Sequence, residues 1–206
     1  IINSKNLIDA YEKITIGLPM ISKDINEYVD NLVSYHEAGH TITALLFRDF
    51  FDVRKVTITA NSNGAGGYTL FTPKEKFNSY ATKKYLLVNL IVTMGGRAAE
   101  IILFNKIQLD YEKKNYSDAL LFNNMDDLDV TSGASGDLKQ ADNLARKYIE
   151  LFGYTKIDNS SKLTKIIQTP KKPYLSLSEE TKTEIDDSIN KLINYGLITA
   201  IKIIEK

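Results

Sequence analysis

The chain has 206 residues, of which 43% are apolar and 25% charged, the balance of a globular protein with enough length to bury a core. Its 26 basic and 26 acidic residues cancel, which removes the basic stripe expected of a nucleic-acid binder and the polybasic face expected of a membrane-surface binder. With no cysteine and two histidines, disulfides, thiolate metal sites and cysteine nucleophiles are excluded.

In chain order, Asn3 to Ile16 reads as a short helix with Leu7, Ile8, Tyr11 and Ile14 on one face, closed by Gly17-Leu18-Pro19. Asp24 with Glu27 three residues on has the form of a capping box, and the segment from there to about Phe47 reads as one long helix. Val53 to Ala60 alternates β-branched and polar residues and is expected to be a half-buried strand. The glycine-rich stretch from Asn61 to Gly67 is a turn, and Tyr68 to Phe71 is a returning strand. Ser79 to Phe104 is an apolar helical region interrupted at Gly95-Gly96; it holds no unbroken run of 18 apolar residues, so no membrane span is expected in this chain. Asp110 to Asp129 is polar and rich in Asn and Asp, the composition of an exposed insertion. A helix from about Gly136 to Leu151, a polar loop containing Pro170 and Pro173, and a last helix starting near Ser178 complete the chain. The expected architecture is mainly α-helical, of the α+β class: a helical domain over 1–206 with a small β-hairpin beside the second helix.

His36-Glu37-Ala38-Gly39-His40 is an HExxH motif in the middle of that second helix, and its histidines are the two in the chain. Residues four apart on a helix lie one turn apart on the same face, so both imidazoles can ligate one ion, with Glu37 beside them to deprotonate a water. A catalytic zinc takes three protein ligands and keeps a position for water. Both histidines are committed and cysteine is absent, so the third ligand must be a carboxylate. Two carboxylates stand out: Glu100 on the Gly95-Gly96-Arg97-Ala98-Ala99-Glu100 helix, and Asp137, which opens a helix after the Thr131 to Gly136 loop and could equally be a plain cap. Spacing alone does not choose between them.

Tyr35 followed by HEAGH, then GGRAAE, then TSGASGDLKQADNLAR, closely resembles the proteolytic domain of FtsH-type AAA zinc metalloproteases. The resemblance extends from Leu7-Ile8-Asp9-Ala10 to Ser178-Glu179-Glu180-Thr181 and Ile185-Asp186, nearly the whole chain outside the insertion. It implies one Zn2+ per chain held by His36, His40 and Asp137, with Glu37 as catalytic general base. Glu100 then becomes a residue that orients a ligand histidine, or else a helix-packing partner of Arg97. Gly66 to Phe71 matches the strand bordering the family's cleft, so Gly67, Tyr68 and Thr69 are candidates to bind an extended substrate by strand addition.

The resemblance further implies polypeptide substrates, unfolded or from membranes, threaded by a ring ATPase in a homo- or hetero-hexamer. No G-x-x-x-x-G-K-[ST] loop occurs, so ATP would enter only through an ATPase domain outside this chain. Membrane attachment would likewise come from segments outside it, and the start at Ile1-Ile2 without Met is expected of a piece of a longer protein. Lysine outweighs arginine, four of the 26 basic residues, and Asn is abundant, as in an AT-rich genome. An organellar inner membrane (mitochondrial or plastid) is therefore expected in a eukaryote and the plasma membrane in a bacterium. Two rival readings remain: a stand-alone soluble zinc peptidase, and a catalytically dead assembly or adaptor module. The departures from the family pattern are the insertion, Gly136 before the Asp, Asp142 where Thr is common, and Phe152-Gly153-Tyr154 in place of a Gly-Met pair. None touches the proposed ligands.

Overall fold

A computed structural model of the chain describes residues 3–15, 17–20, 26–62, 64–77, 79–113, 130–153 and 177–206. Among the described residues, six α-helices and one two-stranded sheet run in the order α1 (Ser4–Thr15), α2 (Glu27–Leu46), β1 (Phe51–Thr57), β2 (Tyr68–Pro73), α3 (Lys83–Thr93), α4 (Gly95–Lys113), α5 (Ser135–Arg146) and α6 (Glu179–Ile204). The fold is mainly helical α+β, as expected.

The starts of α2, α3 and α6 follow side-chain caps. The α2 cap is Asn26, whose side chain accepts the Val29 N–H, two residues beyond the Asp24 expected from sequence; Asp24 lies outside the described residues. Glu27 and Asp30 then fill the first turn of α2, where the helix dipole favours negative charge. Ser178 caps α6 by accepting the Thr181 N–H, again with two acidic residues, Glu179 and Glu180, in the first turn.

Strands β1 and β2 pair antiparallel, with a bulge that leaves Arg54 without an opposite number. The first strand runs two residues earlier than the alternation suggested, because Phe51 is the residue that enters the core. The sheet covers α2 and α3 through a small core of Ala44, Phe51, Val88 and Val92. A larger core unites α3, α4, α5 and α6 through Leu90, Met94, Ala98, Leu144, Tyr148, Ile189 and Leu192.

The apolar region over Lys83–Phe104 departs from expectation in one respect. An 18-residue stretch within it reaches a mean hydropathy of 1.6, long and apolar enough, by length and composition, to cross a membrane. Neither Asn89 nor the glycines cost enough to break the average, which a count of consecutive apolar residues misses. Within the fold, 67% of that stretch is buried, and the helix is interrupted at Met94 between α3 and α4. It is the central core pair of the domain. The helical backbone of α4 also runs to Lys113, past the expected start of the polar insertion at Asp110; residues 114–129 lie outside the described residues.

Helices α2 and α4 cross with their backbones in contact. A Cβ on Gly39 would lie 2.2 Å from the Gly95 carbonyl oxygen, and one on Gly95 would lie 2.7 Å from the Gly39 carbonyl oxygen. Alanine in a helix interior gains about 1 kcal/mol over glycine from propensity, but overpacking against rigid backbone costs about 1–3 kcal/mol or more. Gly39→Ala is therefore expected to lower the urea midpoint of unfolding. A raised midpoint would show that the crossing is not tight.

Candidate metal centre

The second helix presents His36 and His40 one turn apart toward α4 and α5. The imidazole Nε2 atoms lie 3.1 Å apart, and the carboxylate Oδ2 of Asp137 lies 3.1 Å from His36 Nε2 and 3.3 Å from His40 Nε2. Among the described residues this trio, with its ligand atoms all within 4.8 Å of one another, is the group of His and carboxylate side chains able to hold a metal ion. The carboxylate is Asp137, not Glu100. A 3-10 turn over Ser132–Ala134 leads into α5 and sets Asp137 in its first turn, and the side chain reaches across to the imidazoles instead of acting as a cap.

The opposite ring nitrogens explain why the Nε2 atoms face inward. His40 Nδ1 lies 2.9 Å from the Val92 carbonyl oxygen. A carbonyl can only accept, so Nδ1 carries the proton and Nε2 is left as an acceptor. His36 Nδ1 likewise donates to Glu100 Oε1 at 2.8 Å. Glu100, 1% exposed, is itself held on its other oxygen by Arg97 at 3.2 Å and by the backbone N–H and hydroxyl of Thr131, each at 3.2 Å. The two sequence readings of Glu100 are thus not exclusive: it contacts the His36 ring and Arg97 together. Arg97 also donates to the Thr131 carbonyl, which ties α4 to the turn that carries Asp137.

With His36 neutral, two imidazole lone pairs and a carboxylate oxygen converge, so the cluster takes up a positive charge, either a metal ion or a proton on His36. The proton responds to the same demand. Burial opposes a charge on His36, but hydrogen bonds to Asp137 and Glu100 outweigh it and raise its pKa to about 9. Burial would raise Asp137, but the two histidines hold it well below the ordinary carboxylate range. A His with a raised pKa stabilises the fold fully below its ordinary value of 6.5, and that contribution is lost as pH rises toward about 9. A depressed Asp contributes above its ordinary 3.8 and loses the contribution as pH falls through its folded value. In chelator-treated protein the melting temperature is thus expected to decline from pH 6.5 to 9, and added zinc to restore most at the alkaline end, where protons no longer compete. Thermal melts with and without EDTA across that range check this; a zinc-induced gain that shrinks as pH rises would refute it.

Sequence reasoning missed the glycine floor of the site. A Cβ on Gly96 would lie 2.4 Å from His36 Cε1 and 2.6 Å from His40 Nε2, so only glycine lets α4 pass beneath both rings. The Gly95-Gly96 pair inside an otherwise apolar helix was the available signal. The clamp on Glu37 was missed as well. Glu37 is 6% exposed, and Thr69 on β2 donates to its Oε2 at 2.7 Å, while Thr41 donates to its backbone carbonyl at 2.8 Å.

The cleft over these residues has a volume of about 580 Å³. Gly64 to Phe71 form one wall, and Thr131, Gly133, Asp137 and Gln140 the other. Gly67 lies close against Val33, Glu37 and the Thr57 carbonyl, leaving no room for a side chain. Tyr68 also lines the cleft and carries Lys55 Nζ 5.7 Å from its ring centroid. Sequence had placed Glu37, His36, His40, Asp137, Glu100, Gly67, Tyr68 and Thr69 near one another, and all of them border this cleft.

A histidine pair one helical turn apart, a carboxylate from a second helix and a glutamate lining the same cleft fit the metallopeptidase class. The profile of peptidase family M41 matches residues 23–110 and 115–206, and the chain belongs to that family. It is 32% identical over 206 residues to the ATP-dependent zinc metalloprotease FtsH of Mesoplasma florum, covering all of this chain and 28% of that protein. It is 30% identical to FtsH 2 of Phytoplasma mali, over 99% of this chain and 25% of the relative. The FtsH of Streptococcus pneumoniae is 32% identical, with 100% of this chain and 28% of the relative covered. The chain thus spans about a quarter of the length of these relatives.

Proposed function

We propose that residues 1–206 form one zinc endopeptidase domain of an ATP-dependent protease. The observation that carries this is the convergence of His36 Nε2, His40 Nε2 and Asp137 Oδ2, three ligand atoms within 4.8 Å of one another, over a glycine floor. That donor set, two imidazoles and one carboxylate, suits zinc. Held there, one zinc ion supplies Lewis acidity to polarise the scissile carbonyl and lower the pKa of a water.

The remaining steps belong to side chains of this chain. Glu37 accepts the proton of the attacking water and passes it to the leaving amine. Thr69 holds its carboxylate in place at 2.7 Å, a coupling that ties the proton carrier to the strand beside the cleft. Glu100 orients the His36 ring and, by accepting from Nδ1, makes Nε2 a better ligand. The β2 strand is bonded to β1 along one edge. Its other edge can take an extended substrate through main-chain hydrogen bonds, with little demand on substrate sequence.

Because the relatives are named ATP-dependent, an ATPase module outside this chain would feed unfolded or membrane polypeptides to the cleft. A hexameric ring, homo- or hetero-oligomeric, and membrane attachment through segments outside this chain complete the reading, in an organellar inner membrane or a bacterial plasma membrane. The test is direct. The full-length protein is expected to hold one zinc per chain by elemental analysis, and to degrade casein in a reaction stopped by chelation and restored by zinc. A folded protein with substoichiometric zinc and no cleavage would instead favour an adaptor role.

A further inference from the structure

The metal cleft does not end at Asp137. Gly136 and Gln140, which line it, also line a second groove of about 470 Å³ between α3 and α5, whose other walls are Asn89, Lys139, Asn143, Leu144 and Lys147. The charges of α5 and of the π-helical turn Lys147–Leu151 that continues it are sorted by face. Asp142 and Glu150 converge on Arg146 at 3.0 and 2.8 Å, and Asp186 of α6 joins them at 3.6 Å. Lys139, Asn143 and Lys147 follow one another at four-residue spacing on the groove side, and neither lysine is ion-paired among the described residues. Asp142 and Glu150, which could neutralise the lysines, are therefore engaged elsewhere.

Thr93, one turn along α3 from Asn89, lines the metal cleft; it is 3% exposed, and its hydroxyl lacks a hydrogen-bond partner among the described residues. A buried polar atom of this kind calls for a partner that the described protein atoms do not provide.

We propose that this groove is a specificity subsite that accepts an acidic side chain of the substrate polypeptide, on the side of the scissile bond that lies beyond Asp137. The proposal rests on the metallopeptidase reading and adds a substrate preference to it. Continuity with the cleft brings a bound chain to the groove, and two unpaired lysines with two side-chain amides select the sign of what enters. Both lysines are exposed, so the preference is modest and screened by salt.

The test uses full-length protein and internally quenched peptides of one frame, with Asp, Ala or Lys at each position flanking the cleaved bond. At one flanking position the Asp peptide is expected to be cleaved about fivefold better than the Lys peptide in kcat/KM, the scale of one or two exposed ion pairs. In the variant K139E/K147E the order at that position reverses, while the zinc content and far-ultraviolet circular dichroism match those of the unaltered protein. Absence of an acidic preference at every position, or a preference that survives the double charge reversal, overturns the subsite. If the unaltered protein fails to cleave the Ala peptide with zinc present, the metallopeptidase reading fails, and the subsite with it.

Discussion

Asp137→Asn is expected to lower zinc affinity by about a thousandfold, beyond the 10–100-fold typical of losing an outer partner of a ligand, and to abolish peptidase activity. The carboxylate Oδ2 lies 3.1 Å from one histidine and 3.3 Å from the other, so it closes the donor set from a second helix. Asparagine keeps the shape but adds an amide donor. That donor can satisfy an Nε2 lone pair by itself, so the cluster no longer demands a cation. The helix start should survive, because Asp137 makes no capping hydrogen bond there and Ala134 occupies the cap position. Elemental analysis beside far-ultraviolet circular dichroism separates the two effects. Unchanged zinc content in a folded Asp137→Asn protein would remove Asp137 from the ligand set.

The second large effect is at Glu37. Glu37→Gln is expected to keep stoichiometric zinc and the fold while lowering kcat by about 10²–10⁴-fold, the usual span for a general base. Gln retains an oxygen to accept the Thr69 hydroxyl, now at 2.7 Å from Oε2, so the side chain stays clamped against β2. What it loses is the ability to take a proton. Zinc content is the control: a variant that lost metal as well as turnover would point to a structural role, and one that kept turnover would refute the general-base assignment. The two substitutions therefore separate holding the ion from carrying the proton, with opposite expectations for metal content.

How much of this could be read along the chain depended on whether the determining interaction was local. The histidine pair and Glu37 are set by helical periodicity, which places residues four apart on one face wherever the helix forms. Helix existence was legible for the same reason, since apolar spacing and Ser178 mark it locally. The start of α2 was misplaced by two residues because Asp24 and Asn26 are both good caps, and local pattern does not rank them. The tight crossing of Gly39 on Gly95, the floor under the histidines at Gly96 and the Thr69 clamp each join residues at least 30 positions apart. No one-dimensional periodicity encodes such pairs. The apolar stretch over Lys83–Phe104 makes the same distinction from the other side: composition cannot tell a membrane span from a buried core helix, and burial in this fold does.

By itself, the sequence determined the kinds of donor available. Two histidines in one motif and no cysteine confine a three-ligand site to two imidazoles and an oxygen, and that constraint is composition alone. It left Asp137 and Glu100 as equals, because both are carboxylates near the start of a helix. Tertiary structure decided between their positions. Asp137 reaches the Nε2 atoms, while Glu100 sits behind His36 at Nδ1, held by Arg97 and Thr131. The physical reason is that an imidazole has two nitrogens on opposite edges, and only packing determines which carboxylate meets which edge.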